Sequence, residues 1–162
     1  MDALTCLKTR RSIRAYEDRQ VDEALLAQVL EAGMYAPTGM GRQSPKMVVV
    51  QDRATRDQLS RMNAAVMNST GDPFYGAPTV IVVLADPAVG TWREDGSLVM
   101  GNLMNAAHAV GLGSCWIHRA YEEFQSPEGK ALLKKWGVPE NYVGVGHCIL
   151  GYPAPDGEKP AA

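Results

Sequence analysis

The chain has 162 residues, 46% of them apolar and 21% charged, with 16 basic against 18 acidic side chains and a net charge of −2. A chain of this length and make-up forms one domain whose core needs no disulfide or metal staple, and its apolar content excludes disorder. The slight acidic balance speaks against a nucleic-acid binder, which carries a basic excess.

The longest unbroken apolar run, Val80–Ala85, is far shorter than the roughly 20 residues of a bilayer span, so no membrane segment is expected. Met1-Asp2-Ala3 opens no apolar signal region. Cys6, Cys115 and Cys148 cannot all pair and form no C-x-x-C, which suits a reduced, cytoplasmic setting.

In chain order, Asp2 caps a predicted helix over Ala3–Thr9, with Leu4 and Leu7 on one face. A second begins after Asp22, carries Leu25, Leu26, Val29 and Leu30 on a helical stripe, and ends at Gly33 and Pro37. Lys46–Gln51 reads as a buried strand. Leu59, Met62 and Val66 mark a third helix, ending at the Asn68–Asp72 turn cluster, and Thr79–Ala85 is a second buried strand between Pro78 and Pro87. The helix over Ser97–Val110 is apolar nearly all round, which places it inside a domain or in a subunit interface. Its polar exceptions, Asn102, Asn105 and His108, recur every three residues. Ser114–Ile117 is a third strand. Ser126 and Pro127 open a helix with Leu132, Leu133 and Trp136 on its apolar face, stopped by Gly137 and Pro139. A last strand spans Tyr142–Leu150. Helices and buried strands interleave without tight hairpin signals, which fits a three-layer α/β domain or an α+β domain with both sheet faces covered. Residues 153–162, with three prolines, read as an exposed tail.

Three segments carry candidate chemistry. Lys8-Thr9-Arg10-Arg11-Ser12-Ile13-Arg14 places four cations in seven residues of a slightly acidic chain. It is either a solvated helix end, where cations meet the helix dipole, or a phosphate clamp built from arginine forks and the Ser12 hydroxyl. Ala36 to Pro45, between a helix and a strand, combines two glycines with Gln43 and is either a connecting loop or a close approach to a ligand. Gly111-Leu112-Gly113-Ser114 follows a helix and precedes a strand, the reverse of a dinucleotide fingerprint. Gly144–Gly151 is likewise no dinucleotide loop. Cys115 could be a nucleophile with His108, His118 or His147 as base, but no carboxylate is placed to orient any of them, so a cysteine hydrolase is the weaker reading. No paired ligand spacing points to a metal, and His108 on its apolar helix reads as a hydrogen-bonded core residue.

Taken in register, four segments resemble the nitroreductase family of FMN-dependent oxidoreductases in its short single-domain form. They are Arg10-Arg11-Ser12-Ile13-Arg14, Ala36-Pro37-Thr38 through Gln43, Asn102–Ala107 running into Gly111–Ile117, and Gly151-Tyr152-Pro153. The resemblance covers nearly the whole chain. It implies an α+β fold, a three-layer α/β/α sandwich with a mixed central sheet, in an intertwined homodimer; the FMN-binding domain would span residues 1–152. It also implies that Arg10, Ser12 and Arg14 bind the FMN phosphate and ribityl chain, with Arg11 supplying backbone or charge. Thr38, Gly39 and Met40 would approach FMN from the partner subunit, and Gln43 would sit by the pyrimidine side of the flavin ring. Gly113 and Ser114 would lie along that ring, and Lys159 is the basic residue near the C-terminus available to the phosphate. No side chain is expected to act as catalyst; NADH or NADPH would be the donor and nitroaromatics or quinones the acceptors. The alternative is an FMN store or redox sensor with little turnover. Gly41, Ser44 and Pro45 depart from the residues the family often carries there.

Overall fold

The computed structural model describes residues 1–155. Six helices and four strands follow in order: α1 (Ala3–Thr9), α2 (Glu23–Met34), β1 (Lys46–Val50), α3 (Arg53–Val66), β2 (Thr79–Ala85), α4 (Trp92–Ala109), β3 (Gly113–Ile117), α5 (Ala120–Gln125), α6 (Pro127–Lys135) and β4 (Val143–Gly151). A short 3-10 turn, Gly39–Gly41, lies between α2 and β1.

The strands form one sheet in the order β1-β2-β4-β3, with each neighbouring pair antiparallel. A parallel bridge between Ser12 and Ser114 extends it beyond β3. All seven residues of β2 are buried, and they alternate between two cores. Ile81, Val83 and Ala85 meet Leu26 and Val29 of α2 and Val99, Met100 and Leu103 of α4. Val80, Val82 and Leu84 meet Leu59 of α3, Phe124 of α5 and Leu133 of α6. The period of two in an extended chain divides the strand between the faces, and both faces are covered. This is an α+β fold of three layers.

The recurring polar residues of α4 have separate tasks. Asn102 donates to the Ala32 carbonyl of α2 at 2.8 Å. The Asn105 carbonyl accepts from the Cys6 thiol of α1 at 3.1 Å, and His108 meets Thr9. The helix begins five residues before its apolar stripe, because Arg93-Glu94-Asp95 in its first turn carry no hydrophobic signal. Helix α5 has no counterpart among the sequence expectations. It is six residues long, and it starts from Arg119 in the left-handed region without a side-chain cap. Among the described residues, no helix is long and apolar enough to cross a membrane.

Candidate functional site

The cationic segment leaves α1 at Arg10, whose backbone turns extended (φ −58°, ψ 137°). From there the chain forms a strap along the sheet edge. The Ile13 amide donates to the Ser114 carbonyl at 3.0 Å, the Glu17 amide to Tyr152 at 2.8 Å, and the Ala154 amide to Ala15 at 2.9 Å. Pro153 and Ala154, the first residues of the expected tail, are therefore tied to the strap. Gly113 permits this docking, because a Cβ there would lie 2.9 Å from the Ile13 side chain.

Strap, α4 and β3 enclose a cavity of about 310 Å³ lined by Arg10, Arg11, His108, Leu112 and Ser114, among others. Among the described residues, no carboxylate lines it. Nη1 of Arg10 is buried and has no hydrogen-bond partner among the described residues. A buried cationic donor without an acceptor is costly, and an anion in the cavity would satisfy it. Arg11 differs: its Nη1 donates to the carbonyls of Lys8 at 3.1 Å and Arg10 at 2.8 Å, closing the end of α1. Ser12 lies in the strap opposite Ser114. Arg14 is half-buried farther along the strap, outside the cavity lining.

The second group of candidates occupies another place. Thr38 and Gln43 line a separate cavity of about 280 Å³ with Met34 and Met47, and the two cavities share no lining residue. Thr38 Oγ1 donates to Gln43 Oε1 at 2.5 Å and accepts from the Gln43 amide at 3.0 Å. Gln43 Nε2 donates to the Met34 carbonyl at 3.1 Å, so its side chain closes the loop. Met40 and Gln43 take positive φ values of 57° and 51°. Met40 is 85% exposed, Tyr35 78% and Met34 59%, an apolar rim around this loop. Lys159 lies outside the described residues.

One residue matters that the sequence did not single out, and a second lies elsewhere than expected. Asp95, 2% exposed, holds the loop by accepting from the Gly39 amide; nothing in its local sequence marks it. His108 is half-buried on the cavity wall rather than in the core, and the period of three at Asn102, Asn105 and His108 was its signal. The cysteine hydrolase has no support in the geometry. The Cys115 thiol is buried and points to the Trp116 carbonyl. His108 bonds Thr9 instead, and His147 bonds Glu123. Burial, with Cys115 adding to it, pushes the Cys148 thiol up to about 12, so it is no thiolate at neutral pH.

A profile of the nitroreductase family matches residues 7–152. An Archaeoglobus fulgidus protein with the provisional name NADH dehydrogenase/NAD(P)H nitroreductase is 36% identical over 156 residues, covering 91% of this chain and 85% of its own. A Methanothermobacter thermautotrophicus protein with the same provisional name is 32% identical, covering 95% of this chain and 78% of its own. A crystal structure of a Bacteroides fragilis nitroreductase with bound FMN superposes at a TM-score of 0.91 and 31% identity, covering 100% of this chain and 94% of the other.

Proposed function

This chain belongs to the nitroreductase family, and from that premise we infer that it binds FMN and works as an NAD(P)H-dependent oxidoreductase on small electron-poor acceptors. The observation that carries the reading is Arg10, which lines a cavity with no carboxylate among the described lining residues and whose buried Nη1 has no hydrogen-bond partner among the described residues. The phosphate of FMN supplies the acceptor that this cation lacks.

In this reading Arg10 and Ser12 hold the phosphate and the adjoining ribityl chain, Arg14 adds charge from farther along the strap, and Arg11 braces the end of α1. Gly113 and Ser114 present backbone along the cofactor. When bound, FMN supplies two-electron chemistry at N5, with NADH or NADPH as donor and nitroaromatics or quinones as acceptors in a ping-pong cycle. Positive charge fixed at Arg10 favours negative charge on the bound group, and no side chain is assigned an acid or base role.

The active unit is a homodimer. Thr38 lines a different cavity from Arg10 within one chain, and Gly39 and Met40 follow it in the same loop; in this reading they reach the cofactor from a second copy. Gln43 closes the loop that presents them. The exposed rim of Met34, Tyr35 and Met40, with Leu4 and Leu7 on α1, supports such a partner surface.

The test is the visible spectrum of the purified protein after FMN addition, followed by NADH and NADPH oxidation with and without a nitroaromatic or quinone. A flavin band with acceptor-dependent oxidation is the expected result. A protein that gains no flavin band overturns the reading, and bound FMN without turnover makes the protein a flavin store or sensor instead.

A further inference from the structure

We propose that Tyr16 is a positioning residue for the phosphate of the cofactor, holding in place the strap segment that carries Arg10 and Ser12. This rests on the assignment of the Arg10 cavity to the FMN phosphate. Two residues of the cavity wall, Ile13 and Pro153, are joined to Tyr16, one by its hydroxyl and one by its backbone, while Tyr16 stands behind the wall.

The Tyr16 hydroxyl donates to the Ile13 carbonyl, three residues back along the strap, at 2.7 Å. Ile13 is thereby held at three points. Its amide donates to the Ser114 carbonyl at 3.0 Å, its side chain packs on Gly113, and its carbonyl accepts from Tyr16. On the other side Tyr16 pairs with Pro153 in an antiparallel bridge. The bonds of that bridge run from the Glu17 amide to Tyr152 and from the Ala154 amide to Ala15. The Tyr16 ring seats over Gly151, where a Cβ would come within 2.9 Å of ring atom Cδ1, and packs on the core formed with α3, α5 and α6. Burial raises the phenol above its ordinary value, so the hydroxyl keeps its hydrogen and remains a donor at neutral pH.

Ring and hydroxyl therefore have separate tasks. The ring belongs to the core, and the hydroxyl bond lies within the strap. Without that bond the Ile13 carbonyl is released, and the backbone from Arg10 to Ile13 gains freedom that phosphate binding must remove again. The flavin ring depends on other backbone. Gly113 and Ser114 stand on β3, whose register is set by its pairing with β4. Losing the Tyr16 hydroxyl thus weakens the hold on the phosphate and spares the hold on the ring.

The test titrates the full chain with FMN and with riboflavin, which lacks the phosphate, at one neutral pH. Wild type is compared with Tyr16→Phe, which keeps the ring over Gly151 and removes only the bond to Ile13. A second variant, Ala154→Pro, removes the amide that donates to Ala15 and so opens the bridge beside Tyr16. Both variants are expected to bind FMN about tenfold more weakly than wild type, with riboflavin affinity unchanged within about twofold. The preference for FMN over riboflavin falls accordingly. An unchanged preference in Tyr16→Phe overturns the proposal. Equal losses for FMN and riboflavin make Tyr16 a packing residue and also overturn it. Should Tyr16→Phe not fold, the preference in Ala154→Pro decides in the same way. Wild type that binds FMN no more tightly than riboflavin overturns the phosphate assignment itself.

Discussion

The backbone amide of Gly39 donates to Oδ1 of Asp95 at 2.9 Å, joining the turn after α2 to the first turn of α4. The other carboxylate oxygen of Asp95 accepts from Thr91 Oγ1 at 2.9 Å. Thr91 packs so closely on Gly39 that no side chain fits there. One buried carboxylate thus sets the position of Thr38, Gly39 and Met40. Asp95→Ala removes both bonds and leaves the Gly39 amide unpaired, which lowers stability by about 1–3 kcal/mol. Denaturant unfolding measures that loss, and amide exchange localises it. Unchanged protection at Gly39 would show that the loop is held by something else.

Arg10 and Arg11 are adjacent cations with opposite expectations. Arg10→Met removes a guanidinium nitrogen that has no partner among the described residues, so the FMN-free chain keeps its stability or gains a little. The same change weakens FMN affinity roughly 10- to 150-fold, the equivalent of one charge-assisted hydrogen bond. Arg11→Met has the smaller effect on FMN, since that side chain is already engaged by the Lys8 and Arg10 carbonyls. Calorimetric titration and thermal melts of both variants separate the two cases; equal losses of affinity would refute the distinction.

Gly113→Ala places a methyl group 2.9 Å from Cγ1 of Ile13. The backbone bond from Ile13 to Ser114 then has to lengthen and the strap to lift from β3. The expected result is a loss of about 1–3 kcal/mol together with weaker FMN binding, because Arg10 and Ser12 move with the strap. Full stability with unaltered FMN affinity would mean that the strap tolerates displacement.

Asp72 controls stability in acid. Burial acts to raise its pKa, but hydrogen bonds from Arg56, Ser60 and the Gly76 and Phe74 amides prevail and hold it below the ordinary carboxylate value of 3.8. A depressed folded value stabilises the native state above the unfolded value, and that contribution disappears as pH falls through the folded one. Wild type therefore loses this stabilisation below about pH 4. Asp72→Asn is less stable at neutral pH and shows a shallower decline in acid. Parallel melting curves for the two proteins across that range would exclude the assignment.

Much of the fold was legible in the chain itself. The apolar run Thr79–Ala85 identified β2, the Asp2, Asp22 and Ser126 caps located three helix starts, and Pro127 with Gly137 bounded α6. These signals are local, so they survive without knowledge of neighbours. Helix α5 was not legible, because six residues without a stripe or a side-chain cap owe their shape to packing of Phe124 beneath the sheet. The strand order β1-β2-β4-β3 was not legible either, since an all-apolar strand does not state its neighbours. The buried pair of His147 Nε2 and Glu123 Oε2, 2.6 Å apart, joins residues that the sequence leaves unconnected.

For the candidate site, the sequence alone determined that cations cluster at residues 8–14 and that small residues flank β3. It could not rank those cations, because identical side chains differ only in what surrounds them. Folding engages Arg11 with the end of α1, leaves Nη1 of Arg10 buried without a partner among the described residues, and places His108 on the wall of the cavity that Arg10 also lines. Residue type is local information. Burial and hydrogen-bond partnership are properties of the assembled chain, and here they separate one arginine from its neighbour.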